Sequence, residues 1–256
     1  MVCSMRMKLL ASAAAMALAT PAFAADLGYV PPANDPVYSP TPMMVGHVEL
    51  SLGYLGVDGD GDTGFFDGAG RVNIPFAGSW NLEVEAGGTA FFDDDYDQSV
   101  LGAYAHLWTN LGAARVGAFG GIADAHDTVG TIGLEGEVDV TSNATLGAQV
   151  AYNFVDGDDG WGLRGWADYY FAPNTKANLE LAWADTDGND AWGISGKLEH
   201  RFDNTPVSAF AEVGYLDADQ GAEAYTVKLG TRIFLDQQGM TLQDHDRQVP
   251  FDFLGF

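Results

Sequence analysis

The sequence is poor in cysteine, in positive charge and in long apolar runs. Its single cysteine, Cys3, lies at the N-terminus, which excludes disulfides, thiolate metal sites and cysteine catalysis from the rest of the chain. Only 11 Lys and Arg stand against 36 Asp and Glu. Nucleic acid is therefore excluded as a partner, because phosphate binding needs clustered basic side chains. Without a run of 18 apolar residues, the chain has no membrane-spanning helix, and a membrane-spanning form would have to be a β-barrel.

The N-terminus has the three parts of a secretion signal. Arg6 and Lys8 precede the apolar stretch Leu9–Ala19, and Ala22-Phe23-Ala24 follows as a cleavage site. We expect residues 1–24 to be a signal peptide that is cleaved after Ala24; a retained anchor is the alternative. Residues 25–44 contain five prolines and are predicted to be an extended periplasmic leader. Residues 45–235 are predicted to form the barrel, and residues 236–256 a periplasmic or lumenal tail.

Apolar and polar residues alternate with a period of two from Val45 to Leu235, which is typical of strands with two different faces. We distinguish twelve runs, most of them near the roughly 9–11 residues that a tilted strand needs to cross a bilayer. The second run is Gly68–Phe76 and the ninth is Ala177–Ala184. The predicted fold is an all-β, transmembrane, antiparallel up-and-down barrel of twelve strands.

The connections between the runs alternate strictly between two kinds. Outer-membrane barrels have long loops outside and short turns in the periplasm, so this order predicts an even strand number with both termini in the periplasm. The long acidic connections are Gly56–Asp67, Asp93–Gln98, Asp124–Gly130, Asp156–Gly160, Asp185–Asp190 and Leu216–Glu223, and the short ones are Ala77–Ser79, Asn110–Ala113, Thr141–Asn143, Ala172–Lys176 and Asp203–Pro206.

Aromatic residues of the predicted outward face collect at the two ends of the strands. Aromatic rings prefer the two membrane interfaces, whereas a sandwich core would favour strand centres. The residues near the long loops are Tyr54, Phe92, Phe154, Trp161, Trp183, Trp192, Tyr215 and Tyr225, and those near the short turns are Phe76, Trp80, Phe171 and Phe202.

The opposite, inward face carries the charged side chains. On the lipid face, an Arg or Lys at the midplane would cost about 2–4 kcal/mol. The candidate lumen-lining residues are Glu49, Arg71, Glu83, Glu85, Arg115, Glu135, Glu137, Asp139, Arg164, Asp168, Glu180, Lys197, Glu199, Arg201, Glu212, Lys228 and Arg232.

Two interpretations of this lumen stay open. The charges either form a salt-bridged ladder that fills the barrel, or they line a narrow wet pathway. Twelve strands lie between the filled eight-stranded barrels and the open barrels of sixteen or more. Small inward residues, among them Gly53, Gly121, Gly147 and Gly230, leave space unless something fills it, which favours a small channel. The excess of acids predicts weak cation preference.

Evidence for other chemistry is weak. Asp58, Asp60 and Asp62 alternate with glycines as in a calcium-binding loop. The sequence does not have the Gly at position six and the Glu at position twelve that an EF-hand requires. Loose divalent cations between the acidic loops and lipopolysaccharide are easier to accommodate. His200 is expected on the outward face and Ser208 on the inward face, so we predict no enzyme and no cofactor.

The termini carry a family resemblance. The chain resembles the small outer-membrane β-barrel, porin-like proteins of alpha-proteobacteria, on the signal ending Ala22-Phe23-Ala24, the Ala25-Asp26 start of a Pro-rich leader, the last strand Leu229–Phe234 and the charged segment Thr241–Arg247. The resemblance implies an outer-membrane location, contact with lipid and lipopolysaccharide, and assembly by the barrel-insertion machinery.

The tail departs from barrels that end at their last strand. Either Phe234-Leu235 or the segment Phe251–Phe256 is the insertion signal, or the tail plugs the periplasmic mouth, which would argue against a channel. Two functions therefore remain: a small passive channel for ions or small polar solutes, and a non-conducting envelope protein whose acidic loops bind divalent cations, lipopolysaccharide or other cells.

Overall fold

The computed structural model describes residues 44–58, 61–76, 78–92, 99–124, 128–154, 159–186, 189–219, 222–235 and 239–252. These residues form twelve strands and one short helix. The strands are β1 Val45–Val57, β2 Gly61–Phe76, β3 Trp80–Phe91, β4 Val100–Leu111, β5 Ala114–Asp124, β6 Thr128–Thr141, β7 Ala144–Phe154, β8 Gly160–Ala172, β9 Thr175–Thr186, β10 Asn189–Arg201, β11 Val207–Ala218 and β12 Ala222–Phe234, and helix α1 is Leu242–Asp246.

The strands form one closed antiparallel barrel. Each strand pairs with its neighbours in sequence, and β1 pairs with β12 to complete the ring, for example through Val48 opposite Ile233. The predicted all-β barrel of twelve strands is confirmed. Among the described residues, no helix is long and apolar enough to cross a membrane.

Polarity is distributed in the opposite way to that of a water-soluble protein. Leu52, Leu134 and Leu229 expose 60%, 62% and 64% of their surface, whereas Glu83 and Glu199 expose none. Alternate residues of a strand face opposite sides of a sheet, so the sequence's period of two sends apolar side chains outward and charged ones into the lumen. An apolar outer surface around a polar interior is the pattern of a barrel in lipid.

The aromatic residues predicted to face outward lie on the outer surface at the two ends of the barrel. All of them are exposed except Tyr215, which is half-buried between Trp192 and Tyr225. Its ring centroid lies 5.4 Å from that of Trp192 and 5.2 Å from that of Tyr225. These contacts arise because the three residues are neighbours on adjacent strands.

Several strands begin earlier than their sequences predict, and β2 and β9 are the two cases that matter for the lumen. β2 starts at Gly61 rather than Gly68, because Gly61–Asp67 continues to pair with β1 as far as Val57. β9 starts at Thr175 rather than Ala177, so Lys176 belongs to a strand and not to a turn. Both corrections come from strand pairing, which overrides a local composition rich in turn-forming residues.

Inward aromatic rings lie over inward glycines, including those that were expected from the sequence to leave space in the lumen. The ring in each case belongs to the residue directly opposite on the next strand, and a Cβ added to the glycine would lie within 2.4 Å of it. The pairs are Gly53 with Phe65, Gly121 with Tyr104, Gly133 with Phe119, Gly147 with Trp166 and Gly230 with Phe210. Glycine here lets a ring lie against the barrel wall, as in the aromatic rescue of strand glycines.

The pair of Gly147 and Trp166 gives a direct test of this packing. An added Cβ at Gly147 would lie 2.0 Å from Cε2 of the indole, so Gly147→Ala should displace the ring and lower the free energy of unfolding by about 1–3 kcal/mol. The matched control is Gly165→Ala, whose Cβ would meet only a carbonyl oxygen at 3.8 Å. Urea unfolding of the detergent-refolded protein measures both, and equal losses would contradict the packing argument.

Candidate functional site

The candidate site is the lumen, and every lumen-lining residue predicted from the sequence has its side chain there. Fourteen of the seventeen candidates are buried, while Glu49 and Lys197 are half-buried. Asp139, at the end of β6, is half-buried as well. The barrel wall thus brings all the predicted charges into one interior, whose chemistry depends on how they pair.

Most of these charges lie in short networks between neighbouring strands. Arg115 contacts Glu137 at 2.6 Å and Asp139 at 2.8 Å. In the half of the lumen near the long loops, Lys228 contacts Glu212 at 2.7 Å. Cross-strand pairs of opposite charge stabilise a sheet. In a narrow interior, each member of such a pair also replaces part of the hydration that its partner loses.

Arg71 and Arg232 connect larger groups of acids. Arg71 on β2 lies 3.2 Å from Glu85 on β3. Arg232 on β12 lies 3.2 Å from Glu49 on β1 and 3.3 Å from Glu199 on β10. Arg201 also stacks on an aromatic ring, with its guanidinium carbon 4.1 Å from the ring centroid of Phe234.

The sequence analysis missed several polar residues of the lumen, among them His106, Lys176 and Gln149. His106 lies between two carboxylates, with Nδ1 2.9 Å from Glu135 and Nε2 3.4 Å from Glu85. Lys176 and Gln149 are buried in the wall as well. His106 lies on the same face of its strand as Tyr104 and Trp108, and this spacing could have revealed its inward position. It did not, because both faces of that strand are apolar, so the sequence does not show which face is the inward one.

The C-terminal tail enters the barrel from the short-turn end. Thr241 caps α1 with a capping box, in which its side chain accepts a hydrogen bond from the backbone N–H of Asp244. The backbone N–H of Leu242 donates to the side-chain oxygen of Asn174 at 3.0 Å, and that of Gln243 donates to the carbonyl of Pro173 at 3.0 Å. The turn between β8 and β9 therefore anchors the helix.

Within the tail, the apolar side chains face the barrel interior. Leu242 and Phe251 are fully buried, and Val249 is almost so. His245 is also fully buried, and its Nε2 lies 2.9 Å from Nδ1 of His47 on β1. Of the three roles considered for the tail, this arrangement is the one expected of a plug.

Asp246 attaches the tail to the wall by charge. Its carboxylate lies 2.8 Å from Nζ of Lys176 and 3.3 Å from Arg232, and it accepts a 2.8 Å hydrogen bond from the hydroxyl of Tyr170. Burial alone would raise the pKa of Asp246, but Lys176 and Arg232 hold it below its ordinary value. The carboxylate therefore stays ionised in the barrel.

Asp252 makes a second attachment deeper in the tail. Arg164 donates to both its side-chain oxygen and its main-chain carbonyl, and Arg71 lies 3.5 Å from the other side-chain oxygen. Gln149 donates to the same main-chain carbonyl at 3.2 Å. Burial would raise the pKa of Asp252, but Arg164 and Arg71 keep it well below the ordinary value.

A cavity of about 60 Å³ remains beside the docked tail. It is lined by strand residues such as Arg164 and Lys197 and by Asp246, Pro250 and Asp252 of the tail. A water molecule needs at least about 10–15 Å³ of such space. The cavity therefore has room for a few waters, and residues of the tail form part of its lining.

The other candidate chemistry does not converge on a site in the described structure. Asp58 lies in the turn after β1, Asp62 lies in β2, and Asp60 falls outside the described residues. No group of three potential metal-ligating side chains occurs within the described ranges. His200 is exposed on the outer face and lies 2.9 Å from the hydroxyl of Thr175, whereas Ser208 is fully buried and bonded to Glu199.

The lowered pKa values predict how acid affects tail docking. A carboxyl group whose pKa falls on docking favours the docked state above its ordinary pKa of about 4 and loses this contribution as pH falls through the lowered value. Protection of the α1 backbone against amide hydrogen exchange, taken relative to an unprotected amide at the same pH, should therefore stay high between pH 7 and 5 and should fall below about pH 4.

The double variant Asp246→Asn/Asp252→Asn should show fast exchange already at pH 7. Asp124→Asn, which removes an exposed charge at the long-loop end of β5, is the matched control and should exchange like the wild type. Slow exchange in the double variant at pH 7 would mean that the carboxylates do not hold the tail.

Comparison with known proteins places the fold but no family. No protein-family model matches the sequence, and no curated protein matches it. Among solved structures, the outer membrane channel from Pseudomonas putida F1 has a TM-score of 0.56 at 11% identity, covering 77% of this chain and 96% of that one. The KdgM porin has a TM-score of 0.52 at 13% identity, covering 72% and 98%.

A second structure of that porin, in complex with disordered oligogalacturonate, has a TM-score of 0.51 at 13% identity and the same coverage. Identities this low show shared architecture and not shared activity. The chain thus has the fold of outer-membrane channel and porin β-barrels.

Proposed function

We propose that this protein is a small porin-like channel of the bacterial outer membrane, closed in the described state by its own C-terminal tail. When the tail leaves, ions or small polar solutes cross the charged lumen passively. The outer-membrane location, the periplasmic position of both termini, the cleaved signal peptide and the narrower alpha-proteobacterial resemblance belong to the same proposal. The apolar exterior, the two sets of exposed aromatic rings and the fold of the structural neighbours support it.

The observation that carries the proposal is the independence of the barrel wall from the tail. All twelve strands take their ladder hydrogen bonds from other strands, including the closing pair β1 and β12. The described part of the tail, residues 239–252, contributes side-chain contacts and a few hydrogen bonds to turns, but no strand. Its departure would leave a complete wall around a polar lumen, which is what a channel requires.

A second function, the non-conducting envelope protein, is favoured by the depth at which the tail is buried. Leu242, His245 and Phe251 expose nothing to solvent. A permanently docked tail would make the barrel a structural element, with its acidic loops available to divalent cations and lipopolysaccharide. The two functions differ in whether removal of the tail opens a path.

Removing the tail after assembly tests the channel. A protease site inserted between Leu235 and Gly239 lets the whole chain assemble first, so that an insertion signal in the tail is not lost. After cleavage and separation of the freed segment in high salt, single-channel conductance in a planar bilayer should rise well above that of the uncut protein.

The uncut insertion variant is the control, because it carries the same added residues. Mass spectrometry verifies that the segment has left. A barrel that stays folded, has lost the segment and still does not conduct would support the envelope protein instead.

The lumen charge predicts the ion preference of the cleaved barrel. The predicted lumen set contains ten acids and seven bases, and the buried Lys176 adds an eighth base. This excess should draw cations, so the reversal potential in a KCl gradient should indicate a weak preference for K⁺ that declines with rising salt. A preference for Cl⁻ would contradict it.

A further inference from the structure

The tail residues Phe251 and Asp252 occupy two adjoining compartments of the barrel wall. The ring of Phe251 lies among Trp108, Trp166 and His106, and it is fully buried. Its centroid is 6.2 Å from that of Trp108 and 6.4 Å from that of Trp166, both edge to face, and 6.4 Å from that of the nearly parallel His106. Such arrangements are the favourable ones for aromatic rings.

The carboxylate compartment begins beside that cage. Two N–H groups of one guanidinium, that of Arg164, donate to two oxygens of Asp252, namely its main-chain carbonyl oxygen and one oxygen of its carboxylate. The same pair of donors could bind both oxygens of a free carboxylate, for which a planar guanidinium is well suited. The same guanidinium lies 5.5 Å from the ring centroid of Trp166, which joins the two compartments.

The residues of both compartments are held by the wall rather than by the tail. Nη2 of Arg164 lies 2.6 Å from Glu180 on the neighbouring strand. The indole N–H of Trp166 donates to Glu137 at 3.2 Å, and its ring lies flat over Gly147. Side chains fixed in this way keep their positions when a ligand changes, which is the mark of a preorganised site.

The cage also offers a donor that the phenyl ring of Phe251 does not use. The indole N–H of Trp108 is buried and has no hydrogen-bond partner among the described residues. Buried donors are normally satisfied. The phenyl ring of Phe251 therefore leaves one hydrogen-bond donor of this compartment, the indole N–H of Trp108, unused.

We propose that Phe251 and Asp252 occupy a binding site for aromatic carboxylates, molecules that carry a flat ring a few bonds from a carboxylate, and that such solutes are the substrates of the channel. The tail acts as an internal substitute for the solute. This inference rests on the proposed channel function for its physiological role, although binding itself does not require conduction. It differs from the net ion preference, which depends on the charge of the whole lumen.

The site should discriminate by ring and by charge together. In the cleaved, tail-free barrel, calorimetry should show that 3-phenylpropionate binds at least tenfold more tightly than propionate, which lacks the ring, and 3-phenyl-1-propanol, which lacks the charge. Phenylacetate and 4-phenylbutyrate vary the distance between ring and carboxylate and identify the best spacing. The uncut protein should bind all of these at least tenfold more weakly, because its own tail fills the site.

Single substitutions separate the compartments. Arg164→Gln should weaken 3-phenylpropionate at least tenfold, and Trp166→Leu should weaken it comparably while leaving propionate unchanged. Lys228→Gln, which removes a lumen cation whose partners are Glu212 and Asp67 and which does not line the cavity, is the matched control and should bind normally. If Arg164→Gln does not fold, full-length Asp252→Asn serves instead, and it should bind 3-phenylpropionate more tightly than the uncut wild type.

The outcomes are distinguishable from those of the channel test. Equal affinity for 3-phenylpropionate and propionate, or unchanged affinity after loss of both Arg164 and Trp166, would overturn the aromatic carboxylate site. Conduction without such binding would overturn this inference and leave the channel standing. Binding without conduction, with bound 3-phenylpropionate altering the fluorescence of the cage tryptophans, would support the site and overturn the channel.

Discussion

The charged side chains of the strands can be accommodated only in the lumen of this barrel. Lipid excludes them from the outer face, so alternation along every strand collects them in a lumen that is too narrow to hydrate them all. Each then needs a partner of opposite charge or a hydrogen bond, because an unpaired buried charge costs several kcal/mol. The networks around Arg115, Arg71 and Arg232 meet this need between neighbouring strands. The tail supplies such partners from across the lumen, because Asp246 pairs with Lys176 and Asp252 pairs with Arg164.

Much of this arrangement follows from the sequence, because facing depends only on position within a strand. The period of two predicts the twelve strands and the inward side of each charge. Register does not follow, since it depends on which residues of two strands meet. The covering of Gly147 by Trp166 is a property of that pairing. The early start of β2 arises in the same way, because Asp and Gly residues typical of a loop are held in a strand by their neighbours on β1.

The position of the tail could be considered from the sequence but not determined. Its segment from Thr241 to Asp252 has neither a strand period nor a length that would fit a turn, and nothing in it marks Asp252 as the partner of Arg164. The contact joins residues 88 positions apart. Lys176 was missed for a related reason: its strand begins two residues earlier than its apolar pattern does, so a lumen cation looked like part of a turn.

The chemistry of the tail contacts bears on whether the closed state is permanent. A wholly apolar plug would gain about 25 cal/mol for each Å² of buried apolar surface, with nothing to favour its release. Here the buried side chains of Leu242, Val249 and Phe251 contribute in that way, while Asp246 and Asp252 are held by charge. Buried ion pairs contribute little net free energy, because the attraction is offset by the loss of hydration on both sides. A solute that presents a ring and a carboxylate to the same groups restores those contacts as the tail gives them up. Exchange between tail and solute then leaves no unpaired charge in the lumen, and the docked tail is compatible with a channel.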